Sequence, residues 1–180
     1  MSPTEFQKIW VAEGDRLICC VPDRTKVLQI PEESRLFLIS PGLPEEAAPG
    51  LTFLRTRDQL LQTISEVSHR PDEFRRYRII GSDVFGDPIC VDEQLNGRVV
   101  YLNHEDEFLV GFINSSIPQL AYSALAFRQA SKQAQAVAGP EIRIIPDTVV
   151  DEFISKMNLL DPEAIKDGTF WFRSILGEGI

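Results

Sequence analysis

YRIIGSDVFGDPICVDEQLNGRVVYLNHEDEFLVGFIN, residues 77–114, decides the fold of this chain. Apolar runs at 77–81, 88–91 and 98–102 follow one another too closely for helical crossovers. A parallel strand pair needs a connection of about a dozen residues or more, so close spacing means antiparallel neighbours. Apolar residues recur with period two, the pattern of a half-buried strand. GSDVFGDP and DEQLNG are the turns, and Asn96-Gly97 is a strong hairpin signal because both positions tolerate positive φ. Residues 107–114 add a fourth strand. The pattern predicts a four-strand meander with Ile79, Ile89 and Val99 or Val100 in its core.

Upstream, residues 4–12 place Phe6, Ile9 and Trp10 at helical spacing, with Ser2 or Thr4 as cap. Residues 17–21 (LICCV) read as a strand ending at Pro22-Asp23, with one of Cys19 and Cys20 facing inward and the other outward. Pro31, Glu32 and Glu33 suit a helix first turn, and Pro41-Gly42 ends that helix. Residues 51–54 read as a strand. Residues 57–67 read as an amphipathic helix through Leu60, Leu61, Ile64 and Val67. Downstream, 117–138 is a long helix capped by Ser115 or Ser116 and stopped at Gly139-Pro140. Residues 147–159 form another, with Asp147 as cap and Phe153 in its buried stripe. A helical turn over 162–166 and another over 169–176 close the chain. Strands and helices are segregated, so the fold class is α+β: a central, mainly antiparallel sheet packed by N-terminal and C-terminal helices, in one domain over 1–180.

The chain has 180 residues, 43% of them hydrophobic, with 27 Asp+Glu against 18 Lys+Arg. This is too apolar for a disordered chain. A formal charge of -9 argues against coating nucleic acid or docking on anionic membranes. No apolar run approaches a membrane span, and the charged N-terminus lacks the apolar stretch of a secretory signal. Three cysteines, two adjacent, make a poor disulfide framework and point to a reducing cytoplasm.

Recognisable chemistry is missing. Gly81 and Gly86 have the P-loop glycine spacing, but Asp87-Pro88 stands where Lys and Ser/Thr are needed, and a carboxylate there repels phosphate. GxGxxG and GxSxG are absent. Only His69 and His104 are available as imidazole ligands, and there is no CxxC pair for zinc. His69 suits a structural place at a helix end. A calcium-loop frame starting at Asp83 puts Phe85, Pro88 and Gln94 where ligands or the turn glycine belong. His104 beside Glu105, Asp106 and Glu107 offers a base next to acids, but a solvated turn is the commoner meaning. No catalytic residue, metal or cofactor is expected. A reactive thiol at Cys19 or Cys20 would need a nearby base.

The charge is uneven. Residues 81–107 hold Asp83, Asp87, Asp92, Glu93, Glu105, Asp106 and Glu107 against Arg98 alone. Such acids keep a domain soluble, and they also form a docking face for a basic protein, because opposite charge speeds association. With the aromatic Phe85 among them, these eight residues are the expected partner-binding set.

Three stretches together resemble the SUKH superfamily of bacterial immunity proteins, related to a yeast cell-wall synthesis regulator. They are Ile30-Pro31, Phe37-Leu38 and Gly42-Leu43-Pro44; then 77–83 with 86–92, Gly97 and Val99-Val100; then 112–116 leading through Leu120 into a helix. Asp161-Pro162-Glu163-Ala164 and Trp171 with Ile175-Leu176 bring the chain nearest the fourth SUKH subfamily. The resemblance covers about residues 30–176. It implies an α+β fold and a non-catalytic protein that binds and neutralises a toxin, often a nuclease or nucleic-acid deaminase. It carries over no catalytic residue and no toxin-contacting residue. A regulatory or scaffold module of the same fold, with a cellular partner, is the alternative; an enzyme with dispersed carboxylates is a third.

Overall fold

A computed structural model describes residues 1–53, 61–139 and 144–177. Helix α1 (Pro3–Val11) starts in a capping box: Ser2 Oγ accepts the Glu5 N–H, and the Glu5 carboxylate accepts the Ser2 N–H. It buries Phe6 and Trp10. Strand β1 is confined to Leu17–Ile18, shorter than the predicted 17–21; beyond it Cys19 is exposed and Cys20 buried, as strand alternation suggested. Pro22-Asp23 opens a four-residue helix α2 (Pro22–Thr25) rather than a turn, and α3 (Glu32–Ile39) follows. Three short strands come next: β2 (Leu43–Pro44), β3 (Glu46–Ala47) and β4 (Leu51–Phe53).

The helix expected over 57–67 is confined to α4 (Ile64–Ser68), while residues 57–60 lie outside the described ones. Leu61 has φ 66, which no right-handed helix accommodates. Its N–H donates to the Ile79 carbonyl, and the Ile79 N–H donates to the Gln62 carbonyl. Residues 61–63 are thus held along a strand edge, and Thr63 begins the helix in a capping box with Glu66. Pairing of main chain to main chain over-rode the apolar spacing. His69 ends α4 in a left-handed conformation, and a 3₁₀ turn spans Asp72–Arg76.

The meander is present: β5 (Tyr77–Ser82), β6 (Pro88–Asp92), β7 (Arg98–Asn103) and β8 (Leu109–Asn114). With β3 and β4 they form a six-strand sheet of order β3-β4-β5-β6-β7-β8, antiparallel throughout. Asn96 and Gly97 take φ 56 and 76 in the β6–β7 turn. Two irregularities shift the register, one between Ile79 and Gly81, the other opposite Val99 and Val100. The extra residues, Ile80 and Ile113, are both buried in the larger core. A bulge re-aims side chains, and here each one adds an isoleucine to the helix-covered face.

Helix α5 (Ile117–Ala138) matches its predicted bounds, with Ser116 as cap. In α6 (Asp147–Leu160) Asp147 is the first helical residue, not the cap; Pro146 caps without a side-chain bond, since its ring already fixes an extended lead-in. A 3₁₀ turn at Pro162–Ile165 and helix α7 (Phe170–Leu176) complete the fold. The helices bury one sheet face: Ile80, Ile89, Val91, Val99 and Ile113 share a core with Phe127, Phe153 and Trp171. The opposite face carries a smaller cluster, in which Ile79, Cys90, Val100 and Leu102 pack with Ile64 and Phe108.

Candidate protein-binding site

In an antiparallel meander successive turns fall at alternate ends of the sheet. The β5–β6 turn (83–87) and the β7–β8 turn (104–108) therefore share one end, and the β6–β7 turn (93–97) lies at the other. This divides the eight expected site residues. Asp83, Phe85, Asp87, Glu105, Asp106 and Glu107 are brought together; Asp92 and Glu93 are not with them.

Asp92 and Glu93 are occupied by internal partners. Arg76 donates two bonds to Asp92, Nε at 2.7 Å and Nη2 at 2.6 Å. Asp92 also accepts the Gln94 N–H at 3.0 Å, which shapes the turn. Glu93 accepts Arg78 Nε at 3.0 Å and the Gln29 N–H at 2.8 Å. A buried carboxylate such as Asp92, and a partly buried one such as Glu93, is retained because it is paired.

At the other end Asp83 is nearly buried, and one of its oxygens accepts the N–H groups of Phe85 and Asp87, each at 2.9 Å. That aspartate turn is a backbone-mimicking device. Burial pushes the Asp83 carboxyl up, against the lowering effect of those backbone bonds. Asp87 Oδ1 accepts the His104 N–H at 2.8 Å and meets His104 Nδ1 at 2.5 Å, which ties the two turns together. Asn103 Oδ1 accepts the N–H groups of Glu105 and Asp106. Glu105, Asp106 and Glu107 are exposed, with Arg70 Nη1 3.3 Å from Glu107. Phe85 is 61% exposed, on a turn whose backbone is fixed by Asp83. A cleft of about 370 Å³ opens between the turns and α7, lined by Asp83, Phe85, Tyr101, Asn103 and Arg173 among others.

The sequence did not single out Val84, Leu109 and Val110, whose side chains are also exposed here. Val84 sits beside Phe85 inside the turn, and that position was its signal. Leu109 and Val110 look like core residues in a strand, and nothing in the local pattern marks them as exposed.

Burial pushes the Cys20 thiol up to about 11 and raises the Cys90 thiol as well, which disfavours the thiolate form of both. Among the described residues no group of three or more His, Cys, Asp or Glu is arranged to hold a metal ion, and no helix is long and apolar enough to cross a membrane.

No curated protein and no solved structure matches the chain. A family profile described as SUKH-4 immunity protein matches residues 10–177. That span holds the whole sheet, the two tied turns and the C-terminal helices, and the chain therefore belongs to the SUKH-4 immunity protein family.

Proposed function

We propose that this protein neutralises a toxin domain of basic surface by docking on it with the sheet end built from the 83–87 and 104–108 turns. Membership of an immunity family makes the chain a binding protein rather than an enzyme, with a cognate toxin as partner. The observation that carries the choice of face is Phe85: a large apolar ring, mostly exposed, on a turn pinned by Asp83 and bordered by Glu105, Asp106 and Glu107. Packed aromatic anchors dominate binding energy, while rim charges set association rate and suppress wrong partners. Asp83 and Asp87 shape the face, whereas Asp92 and Glu93 brace the opposite end. A nuclease or nucleic-acid deaminase fits the charge, because a surface that holds phosphates is basic and an acidic turn competes for it. The single domain would act in the cytoplasm, where such a toxin meets its substrate.

The test is survival of cells co-expressing the protein with the toxin domain encoded beside it. Wild type should protect. Phe85→Ala combined with Glu105→Lys and Asp106→Lys should not, with the fold intact by circular dichroism. Full protection by that variant would move the docking face elsewhere.

A further inference from the structure

We infer that the open half of β8 is a strand-pairing site for a basic, extended segment of the partner; this rests on the toxin-binding reading above. β8 ends the sheet and pairs with β7 alone among the described strands. Its second half is covered: Ile113 and Asn114 are fully buried, and Asn114 is bonded to Ser123, Asp161 and Trp171. Its first half is not. Leu109 is 63% exposed and Val110 44%. Consecutive strand side chains point to opposite faces, so this stretch is exposed on both faces, and among the described residues no strand pairs with its outer edge.

An edge strand presents a row of unpaired N–H and C=O groups, and proteins blunt such edges with Lys, Pro, bulges or covering loops. Leu109, Val110 and Gly111 supply none of these, and the β7–β8 bulge falls at the far end of the strand. The protection sits instead in the preceding turn, as Glu105, Asp106 and Glu107. Those charges repel an acidic strand and admit one rich in Lys or Arg. A second copy of this chain is a poor occupant, since each copy brings a net charge of -9 and its own acidic turn. In strand addition the main-chain bonds give affinity, and alternate side chains, here meeting Leu109 and Val110, give selectivity. The edge begins where the acidic turn ends, so both belong to one continuous surface with Phe85's end of the sheet.

Hydrogen–deuterium exchange of the full chain, with and without the catalytically inactivated toxin domain from the neighbouring gene, tests this. The Val110 amide should exchange roughly tenfold or more slowly in the complex, while the Leu109 N–H, which already donates to the Asp106 carbonyl, should change less. Val110→Pro removes a main-chain donor, and Leu109→Lys with Val110→Lys puts like charge against a basic strand; each should weaken binding by roughly tenfold or more, with the fold verified by circular dichroism. The double lysine variant keeps the test valid if the proline variant misfolds. Binding that leaves the Val110 amide unprotected overturns the strand-pairing inference while the toxin reading stands. Absence of any binding defeats both. Protection that appears in the protein alone, with a dimer by light scattering, assigns the edge to a second copy and overturns the proposed occupant.

Discussion

Replacing Asn114 with leucine should cost about 3 kcal/mol of folding stability, from two losses: an orphaned donor and a broken bond to a charged group. Asn114 is fully buried at the end of β8. Its Oδ1 accepts the Trp171 indole N–H at 2.8 Å, and its Nδ2 donates to Ser123 Oγ and Asp161 Oδ2, each at 3.0 Å. Leucine fills a similar volume and makes none of these bonds. The indole N–H of Trp171 would be left buried and unpaired, at about 1–3 kcal/mol. Asp161 would lose one donor to its buried carboxylate but keep the Ser115 N–H at 2.7 Å and the Ser115 hydroxyl at 2.8 Å. A bond to a charged group contributes about 1.5–3 kcal/mol. The two losses share one network, so they fall short of full addition, and the gain from burying leucine offsets part of them. The loss is a large share of a typical 5–15 kcal/mol, and for this chain length it lowers Tm by roughly 6–12 °C. Urea unfolding followed by tryptophan fluorescence measures it. A double-mutant cycle with Trp171→Phe should return a coupling of about 0.5 kcal/mol or more. A loss under about 1 kcal/mol, or no coupling, would refute the claim that this network joins the sheet to α7.

Phe153 is 2% exposed and meets the Phe127 ring edge-on at 5.7 Å, so Phe153→Ala should cost about 3–5 kcal/mol in urea unfolding. Asp83 has its folded-state pKa raised, chiefly by burial, so the folded form holds a proton more tightly than the unfolded chain. That favours folding at pH below the unfolded carboxyl pKa, and the gain is lost as pH rises through the folded value. Asp83→Asn keeps an oxygen to accept the Phe85 and Asp87 N–H groups; it should flatten this acid-side slope without destabilising at neutral pH, as thermal melts across pH 3–8 would show.

Residues 77–114 carried the meander by themselves, because period-two burial and closely spaced turns are local facts. The same holds for α1 and α5, whose caps and stops lie within a few residues of their ends. Leu61 shows where local reasoning ended: its apolar spacing fits a helix, yet its partner is the Ile79 main chain, distant in sequence. The acids show it again. Asp83, Asp87, Asp92 and Glu93 read as one charged rim with Glu105, Asp106 and Glu107, and composition has no means of separating them. Strand alternation sent Asp92 and Glu93 to the opposite end, and Arg76 and Arg78, brought alongside by β5–β6 pairing, neutralised them. Asn114, Asp161 and Trp171 were visible in the sequence as separate marks of family resemblance, up to 57 residues apart. Only packing α7 and the end of α6 against β8 turned them into one hydrogen-bonded network, because a buried polar group must find its partner in space rather than along the chain.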